Sequence, residues 1–316
     1  MVLHTRFSTF LQILCHGDIK EVKDDEFLKE RMLVKKRTKK DKSKNDKKEV
    51  TIYQANPLIH ARKNYGIMEH RLFRLAIADL RPKLKNSLYY DEEFRPFHME
   101  TAEVIELFQS EGMERDGLYT RLKESCRRMS QSCIEIEDEN SLDIINVFDR
   151  IKIDKKKGLN ILFTASMKKF LLDLEQGNYT KSLLKLSFSL SSTYALVLLE
   201  LILQYQGKKN KGIIERDLSI EEIRFSMNVQ EDAYDGRIDN FKRFVVDSAI
   251  REINEKTEYY LEPRYGLLRG QYNRVTGFHF VLHLPETETK EQKQPALSDG
   301  LKERLVKYRL KTSGKS

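Results

Sequence analysis

The pattern of apolar and polar positions is clearest over residues 188–283, where it predicts a compact order of helices and strands. Residues 192–206 are apolar almost all round, which is typical of a helix buried between neighbours. Ser219 and Glu222 form an S-x-x-E capping box, which predicts the start of a short helix. A helix over 237–256 and two alternating strands joined by an arginine-bearing loop follow. This order predicts a winged helix-turn-helix.

The helix over 237–256 has one apolar and one polar face. Apolar residues at helical spacing predict the buried face, Ile238, Phe241, Val245, Ala249 and Ile253. The opposite face comprises Asn240, Arg243, Asp247, Arg251 and Asn254, with Arg237 and Lys242 near the N-terminal end, where the helix dipole favours a phosphate. The loop between the strands adds Arg264, Arg269 and Arg274. An ordinary surface helix is also charged on one side, but the combination with the basic loop predicts a DNA-binding face.

A looser version of the same order lies between residues 51 and 164. Residues 50–59 are strand-like, residues 68–81 have a helical period closed by Pro82, and residues 99–109 form a second candidate helix. The next helix has a predicted buried stripe of Leu118, Leu122, Cys126, Met129 and Cys133. Its outer face carries Asp116, Thr120, Lys123, Arg127 and Gln131, flanked by Tyr119, Arg121 and Arg128. A helix with such a face is suited to a major groove.

Strand-like runs follow this helix at 134–138, 142–149 and 150–164, with turns at 138–140 and 154–158. The last turn carries three consecutive cations, Lys155, Lys156 and Lys157. A hairpin with this tip predicts a basic wing that contacts backbone phosphates.

The two modules predict an α+β protein with two tandem winged-helix domains, at 51–180 and 181–285. The second domain is expected to supply the main sequence-specific DNA binding. Residues 1–50 form an N-terminal extension whose run KKRTKKDKSKNDKK, at 35–48, has no apolar residue and predicts a solvated tether. The same run would strengthen binding to any DNA by counterion release, and a nuclear-import signal has the same composition. Residues 286–316 predict a polar tail.

Composition narrows the choice of partner. The formal net charge of +8 and the pI of about 9.1 favour a polyanion, either nucleic acid or, less specifically, an anionic membrane surface. No stretch approaches the ~18 apolar residues of a membrane span, and the first residues lack the pattern of a secretion signal. Cys15, Cys126 and Cys133 have no C-x-x-C spacing. We therefore expect a cytoplasmic protein with reduced thiols, no disulfide framework and no zinc site.

Several runs resemble one known family, the iteron-binding theta-type plasmid replication initiators (Rep proteins). The second module resembles their C-terminal winged helix in SFSLSSTYALVLLELILQYQGKK, LSIEEIRFSMNV, NFKRFVVDSAIREINEKT and GFHF. The first module resembles their N-terminal winged helix in QANPLIHARKNYGIMEHRLFRLAIADLRP and GLYTRLKESCRRMSQSCIEIED, and NYTKSLLKL resembles the junction. The likeness covers about residues 51–284. Many relatives have Leu-Tyr-Glu where this chain has Leu198, Leu199 and Glu200, and a longer basic run where Phe244 follows Lys242 and Arg243.

The resemblance implies a bacterial, plasmid-associated protein that binds direct repeats at an origin as a monomer and helps to open the adjacent AT-rich duplex. It implies recruitment of the host initiator and replicative helicase, and a homodimer that represses its own promoter through an inverted repeat. It also implies that the domain at 51–180 supplies the dimer interface. The host proteins and the homodimer are expectations from the family alone, whereas double-stranded DNA is also the partner that the two helix faces and wings predict.

The residues themselves predict no enzyme. The nearest candidate for a metal pair is His279 and His283, but two histidines that share a strand face explain their spacing of four better than a metal site does. The terminal Gly-Lys-Ser lacks the strand and helix of a phosphate-binding loop, and acids at 135–139 are typical of a surface turn. No cofactor or metal is therefore expected. The alternatives to an initiator are a winged-helix transcriptional regulator without a replication role and, more distantly, a nicking enzyme.

Overall fold

The computed structural model describes residues 50–285, apart from residues 111, 138–139, 205–211 and 231 and the side chains of residues 235–236. The basic run at 35–48 and the predicted tail at 286–316 lie outside the described residues. Within the described part, helices and antiparallel sheets confirm the predicted α+β class.

The described chain begins with a strand, a short helix and a second strand: β1 (Thr51–Ala55), α1 (Asn56–His60) and β2 (Arg62–Lys63). The strand predicted over 50–59 is therefore wrong in its second half. Pro57 lies in the first turn of α1, where its fixed φ and missing N–H suit a helix start. The proline ends the strand and begins the helix.

The first winged helix has three helices and a three-stranded sheet. Its segment contains α2 (Ile67–Ile77), β3 (Phe97–Met99), α3 (Thr101–Ser110), α4 (Leu118–Gln131), β4 (Cys133–Glu137), β5 (Leu142–Asn146), β6 (Phe148–Asp154) and β7 (Gly158–Phe163). The sheet has the antiparallel order β3-β7-β6, and β6 and β7 form the wing. A separate sheet has the order β2-β4-β5. The three predicted helices and the predicted hairpin are thus confirmed.

Three boundaries of this domain differ from the sequence prediction. Helix α2 ends at Ile77, before Pro82, because the Leu80 N–H donates to the carbonyl of Ile77 (3.0 Å) and closes a turn. Met99, predicted to begin a helix, belongs to β3. Cys133, predicted on the buried stripe of α4, begins β4 instead, because Ser132 adopts an extended backbone (φ −93°, ψ 140°) and ends the helix.

The segment after the first wing contains α5 (Lys168–Leu171), β8 (Tyr179–Leu183) and α6 (Leu184–Ser189). Strand β8 pairs antiparallel with β1. The chain therefore returns to the first described strand before it enters the second winged helix.

The second winged helix follows the predicted order. Its elements are α7 (Thr193–Leu203), β9 (Ile213–Ser219), α8 (Ile220–Ser226), α9 (Ile238–Phe241), a π-helical segment (Lys242–Val246), α10 (Asp247–Lys256), β10 (Tyr260–Leu261), β11 (Gly266–Arg269) and β12 (Val275–His283). Strand β12 pairs with β9, β10 and β11. The capping box of Ser219 and Glu222 is confirmed, with both reciprocal hydrogen bonds present.

Three features of this domain were not predicted. Strand β9 pairs with β12 at 213–219, where no strand is predicted from the sequence. The helix expected over 237–256 is continuous over 238–256 but contains the π-helical segment in its first half. The region predicted to be a plain loop between two strands contains β11, which pairs with β12 and leaves a short wing turn at 270–274.

The domains share side chains across their junction. The core of the first domain includes Phe188 from α6, whereas the core of the second includes Ile59 from α1. The His60 Nε2 lies 2.7 Å from Gln204 Oε1, and the Ser226 hydroxyl donates to the His60 carbonyl (3.1 Å). The two winged helices are therefore packed against each other rather than linked by a tether.

Helix α2 lies at the centre of this junction. The sequence predicts one buried face, but every residue from Met68 to Ile77 is buried. Arg71 donates to the carbonyls of Ser187 (2.9 Å) and Leu190 (3.0 Å), and Arg74 forms an ion pair with Glu200 on α7. Arg71 and Arg74, which a one-faced pattern assigns to solvent, are buried because partners from the second domain satisfy them.

Candidate nucleic-acid interface

The helix over 238–256, here called the recognition helix, is fixed by a fully buried inner face. Phe241, Val245, Ala249 and Ile253 have no solvent exposure and pack in the core of the second domain, as predicted. Arg243 and Arg251 lie exposed on the opposite face. The apolar stripe therefore holds a cationic face toward solvent, which is the arrangement required to contact a nucleic acid.

The π-helical segment places an aromatic residue among the cations. Phe244 is 48% exposed, and its ring stacks on that of Tyr234 (centroids 5.8 Å apart, interplanar angle 18°). The Arg243 guanidinium lies 5.3 Å from the Phe244 ring centroid. Because an extra residue in one turn shifts the register of the helix, the π segment exposes Phe244 beside Arg243. Phe244, which interrupts the basic run in the sequence, therefore lies on the surface between the ring of Tyr234 and the guanidinium of Arg243.

Not every residue of the predicted outer face is exposed. Asn254 is 7% exposed, and its amide exchanges two hydrogen bonds of 2.7 Å with the backbone of Leu261. The prediction that Asn254 is exposed is wrong, because this side chain joins the end of the helix to β10. Asn240 is half-buried and donates to the carbonyl of Tyr234 (3.3 Å). The structure therefore gives the Asn240 amide a local partner in the turn that precedes the helix.

Asp247 joins the recognition helix to the wing. Its carboxylate accepts a hydrogen bond from the Tyr265 hydroxyl (2.7 Å), and Tyr265 immediately precedes β11. Burial, together with the neighbouring Asp247, raises the pKa of Tyr265, so this hydroxyl stays protonated and continues to donate. The Lys242 ammonium lies 5.7 Å from the same ring. Asp247 thus positions the wing against the helix.

The wing of the second domain carries the predicted cations and one residue that sequence reasoning missed. Arg264, Arg269 and Arg274 are exposed, and Arg269 donates to the carbonyl of Asn273 (2.9 Å). Between the last two lies Tyr272, which is 93% exposed and has a left-handed backbone (φ 56°). The sequence does carry a signal for Tyr272. It is an aromatic residue in a turn sequence, Gly-Gln-Tyr-Asn, between Arg269 and Arg274.

Helix α4 presents the corresponding face of the first domain. Thr120, Lys123 and Arg127 are exposed, whereas Leu118, Leu122, Cys126 and Met129 are buried. Burial raises the pKa of the Cys126 thiol to about 12, so this cysteine stays protonated. The predicted buried and polar faces are therefore both present on this helix.

Two arginines of α4 have partners within the domain. Arg128 donates to Glu69 on α2 (2.8 and 2.5 Å), a carboxylate that is only 2% exposed. Arg121 donates to the carbonyl of Glu114 (2.6 Å) in the preceding loop. Because Arg128 neutralises a buried carboxylate, its first role is to fix α4 against α2.

The wing of the first domain ends in the predicted lysine turn. Lys155, Lys156 and Lys157 are all exposed at the tip of the β6–β7 hairpin. The Asp154 carboxylate accepts the N–H groups of Lys156 (2.9 Å) and Lys157 (3.0 Å), and these hydrogen bonds lower the pKa of Asp154. Gly158 closes the turn with φ 103°, and a Cβ atom there would lie 2.5 Å from the carbonyl oxygen of Met99. The three cations are thus presented by a defined turn.

The described residues offer no cluster of three or more His, Cys, Asp or Glu side chains arranged to hold a metal ion. His279 pairs with Asp217 (2.6 Å), and His283 pairs with Glu262 (2.8 Å). Each strand histidine therefore has its own local carboxylate. Among residues 50–285, apart from the gaps given above, no helix is long and apolar enough to cross a membrane.

Both winged helices match known protein families. Residues 51–203 match the family described as initiator replication protein, WH1, and residues 219–282 match initiator Rep protein, WH2. The chain belongs to the initiator replication protein family. The resemblance given by the sequence motifs and the two tandem winged helices is thereby confirmed.

Solved structures give the same fold. This initiator is similar to the Pi initiator protein, whose crystal structure is in complex with iteron DNA, with 21% sequence identity and a TM-score of 0.58. The similarity covers 76% of this chain and 99% of that chain. At this identity the likeness concerns the fold. No curated protein matches the chain.

Proposed function

We propose that this initiator binds direct repeats at a plasmid origin, with both recognition surfaces on one DNA duplex. The observation that carries the proposal is the packed junction at α2, which holds two winged helices with basic outer surfaces in one unit. Two recognition helices so held can enter successive major grooves, which lie about 34 Å apart along one face of B-DNA. The Pi protein, which shares the fold, was crystallised with iteron DNA.

The proposed contacts divide into two kinds. Arg237, Asn240, Lys242, Arg243, Asp247 and Arg251 on the second domain and Thr120, Arg121, Lys123, Arg127 and Arg128 on the first form the proposed groove surfaces. The wing cations Arg264, Arg269, Arg274, Lys155, Lys156 and Lys157 are proposed phosphate contacts. Of the first set, Arg243 and Arg251 are exposed on the polar face of the recognition helix, and we propose that they contact base edges.

At the origin, the bound monomer would help to open the adjacent AT-rich duplex and recruit the host initiator and replicative helicase. Its role is binding and assembly in the bacterial cytoplasm rather than catalysis. A supercoiled-plasmid relaxation assay with Mg²⁺ or Mn²⁺ tests the absence of nicking, since any relaxed product would contradict it.

A second activity, autorepression by a homodimer, is supported by one apolar edge. Strand β5 is the edge of the β2-β4-β5 sheet, and its Leu142 and Ile144 are 54% and 57% exposed. An exposed apolar edge strand is a template for pairing with another strand. We propose that this edge of the first domain pairs two copies, and that the dimer binds an inverted repeat. The substitution Ile144→Lys should then shift the sedimentation coefficient toward the monomer.

The decisive experiment places the gene and its upstream few hundred base pairs on a plasmid that has no other usable origin. Replication in the native host, together with footprints on repeats beside the gene, would support the initiator. Tight binding to nearby repeats without replication would leave the alternative, a transcriptional regulator. The Arg243→Ala variant is the control, because it should lose footprint and replication together.

A further inference from the structure

The recognition helix exposes a large apolar side chain among its polar ones. Phe244 is 48% exposed and follows the exposed Arg243, in the second turn of a helix that begins at Ile238. Ser248 and Arg251 are also exposed, four and seven residues further on, which is the spacing of side chains on one helical face. Phe244 therefore belongs to the surface that would enter a major groove if the helix binds DNA.

The ring of Phe244 is held in place from within the domain. Tyr234 stacks on it (centroids 5.8 Å apart), and the Tyr234 hydroxyl lies 3.2 Å from that of Tyr194 on α7. The Arg243 guanidinium lies 5.3 Å from the ring centroid of Phe244. Because Tyr234 and Arg243 both lie against the ring, what it offers to a partner is its edge. A side chain that is already positioned loses little conformational entropy on binding.

The chemistry of this edge restricts what it can contact on DNA. An apolar ring edge forms no hydrogen bond to a phosphate, and an unpaired base needs a free ring face on which to stack. In the major groove, adenine, guanine and cytosine present hydrogen-bonding groups, whereas thymine also presents an apolar group, its C5-methyl. Contact of an apolar side chain with this methyl group is a form of direct base readout. The thymine methyl group is therefore the contact that matches the ring edge.

The charges around the ring do not by themselves select a partner. Arg237, Arg243 and Arg251 are exposed on the helix, but so are Asp239 on the helix and Asp232 in the preceding turn. The position and the apolar chemistry of the ring, rather than the local charge, therefore determine what it can contact.

We propose that the ring edge of Phe244 contacts the C5-methyl group of one thymine in each direct repeat, beside the base that Arg243 contacts. The proposal rests on the proposed function, because it requires the recognition helix to lie in the major groove of the repeats. It adds a specificity-determining residue whose partner is a methyl group rather than a hydrogen-bonding group. A repeat with another base at that position lacks this apolar contact.

The test removes one methyl group at a time from the DNA. Each thymine of a repeat duplex is replaced in turn by deoxyuridine, which keeps the base pair and lacks only the C5-methyl group. The affinity of the full chain for each duplex is then measured by fluorescence anisotropy. We expect at least one position at which wild type binds about four-fold more weakly, the decrease that corresponds to one buried methyl group. Phe244→Ala should bind the two forms of that position equally.

The matched control is Tyr272→Ala, which removes another exposed aromatic ring, from the wing. This variant should keep the four-fold difference between thymine and deoxyuridine at the same position. Circular dichroism of both variants checks that the domain is folded, and the buried side chains of the helix are left intact by either substitution.

The outcomes separate this proposal from the proposed function. Absence of repeat binding by wild type overturns the proposed function itself. Repeat binding by wild type that no deoxyuridine substitution weakens overturns only the thymine contact. A four-fold difference that Phe244→Ala retains also overturns it, because another residue then contacts the methyl group. If Phe244→Ala weakens binding to single-stranded DNA and leaves repeat affinity unchanged, the ring contacts an unpaired base and the proposal is again wrong.

Discussion

We propose that Arg243 contacts base edges. It is exposed at the start of the recognition helix and lies beside the Phe244 ring, which restricts the directions that its guanidinium can take. An arginine held in this way forms bidentate contacts to guanine at a smaller entropic cost than a free side chain. Asn240, in contrast, already donates to the backbone of Tyr234.

We expect Arg243→Ala to weaken binding to the direct repeats by about 1–3 kcal/mol, and binding to random DNA by much less. Fluorescence anisotropy titrations on both DNAs measure the difference. Lys256→Ala, at the far end of the same helix, is the matched control. Equal decreases on the two DNAs would assign Arg243 to the backbone.

Two substitutions of Tyr272 test its effect on folding stability separately from its effect on DNA binding. Its left-handed backbone favours glycine over any residue with a Cβ atom, so Tyr272→Gly should be about 1 kcal/mol more stable than Tyr272→Ala in urea unfolding. Both variants lack the ring at the wing tip and should weaken DNA binding alike. If both variants bind DNA as wild type does, Tyr272 has no part in the interface.

At the scale of elements, the lysine turn is a proposed phosphate-binding element with three adjacent cations. Asp154 fixes the turn through two backbone hydrogen bonds, so the backbone that carries the three cations has a defined conformation. The turn joins β6 and β7, whose pairing is continuous with β3 in the core of the first domain. The wing is therefore an extension of a sheet, and its tip position is determined by strand register.

Replacing Lys155, Lys156 and Lys157 with glutamine should reduce the salt dependence of DNA binding and leave the preference for repeats intact. For every lysine that binds a phosphate, its replacement lowers the slope of log K against log salt by about 0.9, because fewer counterions are released. Affinities measured over a salt series on repeat and random DNA give the slope. An unchanged slope would show that the turn does not bind phosphates.

How far the elements follow from sequence depends on where their partners lie. The capping box, the stripe of Phe241, Val245 and Ala249 and the lysine turn are local patterns, and all were predictable. The burial of Asn254 was not, because its partner, Leu261, lies on a strand whose pairing the sequence does not encode locally. The π segment depends in the same way on tertiary packing. The buried arginines of α2 are the extreme case, since only partners from the second domain explain their burial.

At the scale of the whole molecule, the Arg74–Glu200 pair joins the two winged helices through a nearly solvent-free contact. Gln54 also donates to Glu200 (2.8 Å), and the Ser187 hydroxyl accepts from Arg74 (3.0 Å). Residues of β1, α2, α6 and α7 therefore meet around this ion pair. A substitution in the pair should affect the stability of both domains.

We expect Glu200→Ala to lower the free energy of unfolding by about 3–5 kcal/mol, because it leaves the Arg74 guanidinium buried without its counterion. The double substitution Arg74→Met/Glu200→Leu, which removes both charges and keeps the volume, should cost much less. Urea unfolding followed by circular dichroism measures both. If the single and double variants are equally unstable, the pair contributes through packing rather than charge.

The same junction should make stability depend on acid pH. Burial lowers the pKa of His70 well below its usual range, with Lys63 and Arg74 adding to the effect. The unfolded chain binds a proton near pH 6.5 and the folded chain does not, so stability is full above that pH and falls as pH decreases below it. The slope is up to about 1.4 kcal/mol per pH unit for this one group. Unfolding curves from pH 7.5 to 5 should show it, and His70→Phe should flatten it.

The exchange of core side chains has a consequence for how this protein can be divided. Ile59 comes from the first half of the chain but fills the core of the second winged helix, and Phe188, beyond the predicted boundary at residue 180, fills the core of the first. A cut at the predicted boundary would leave each fragment with an unfilled apolar site in its core. The arginines of α2 would also lose their partners from the second domain. DNA affinities measured on such fragments would be those of incompletely folded domains. The sum of their binding free energies would not give that of the intact chain.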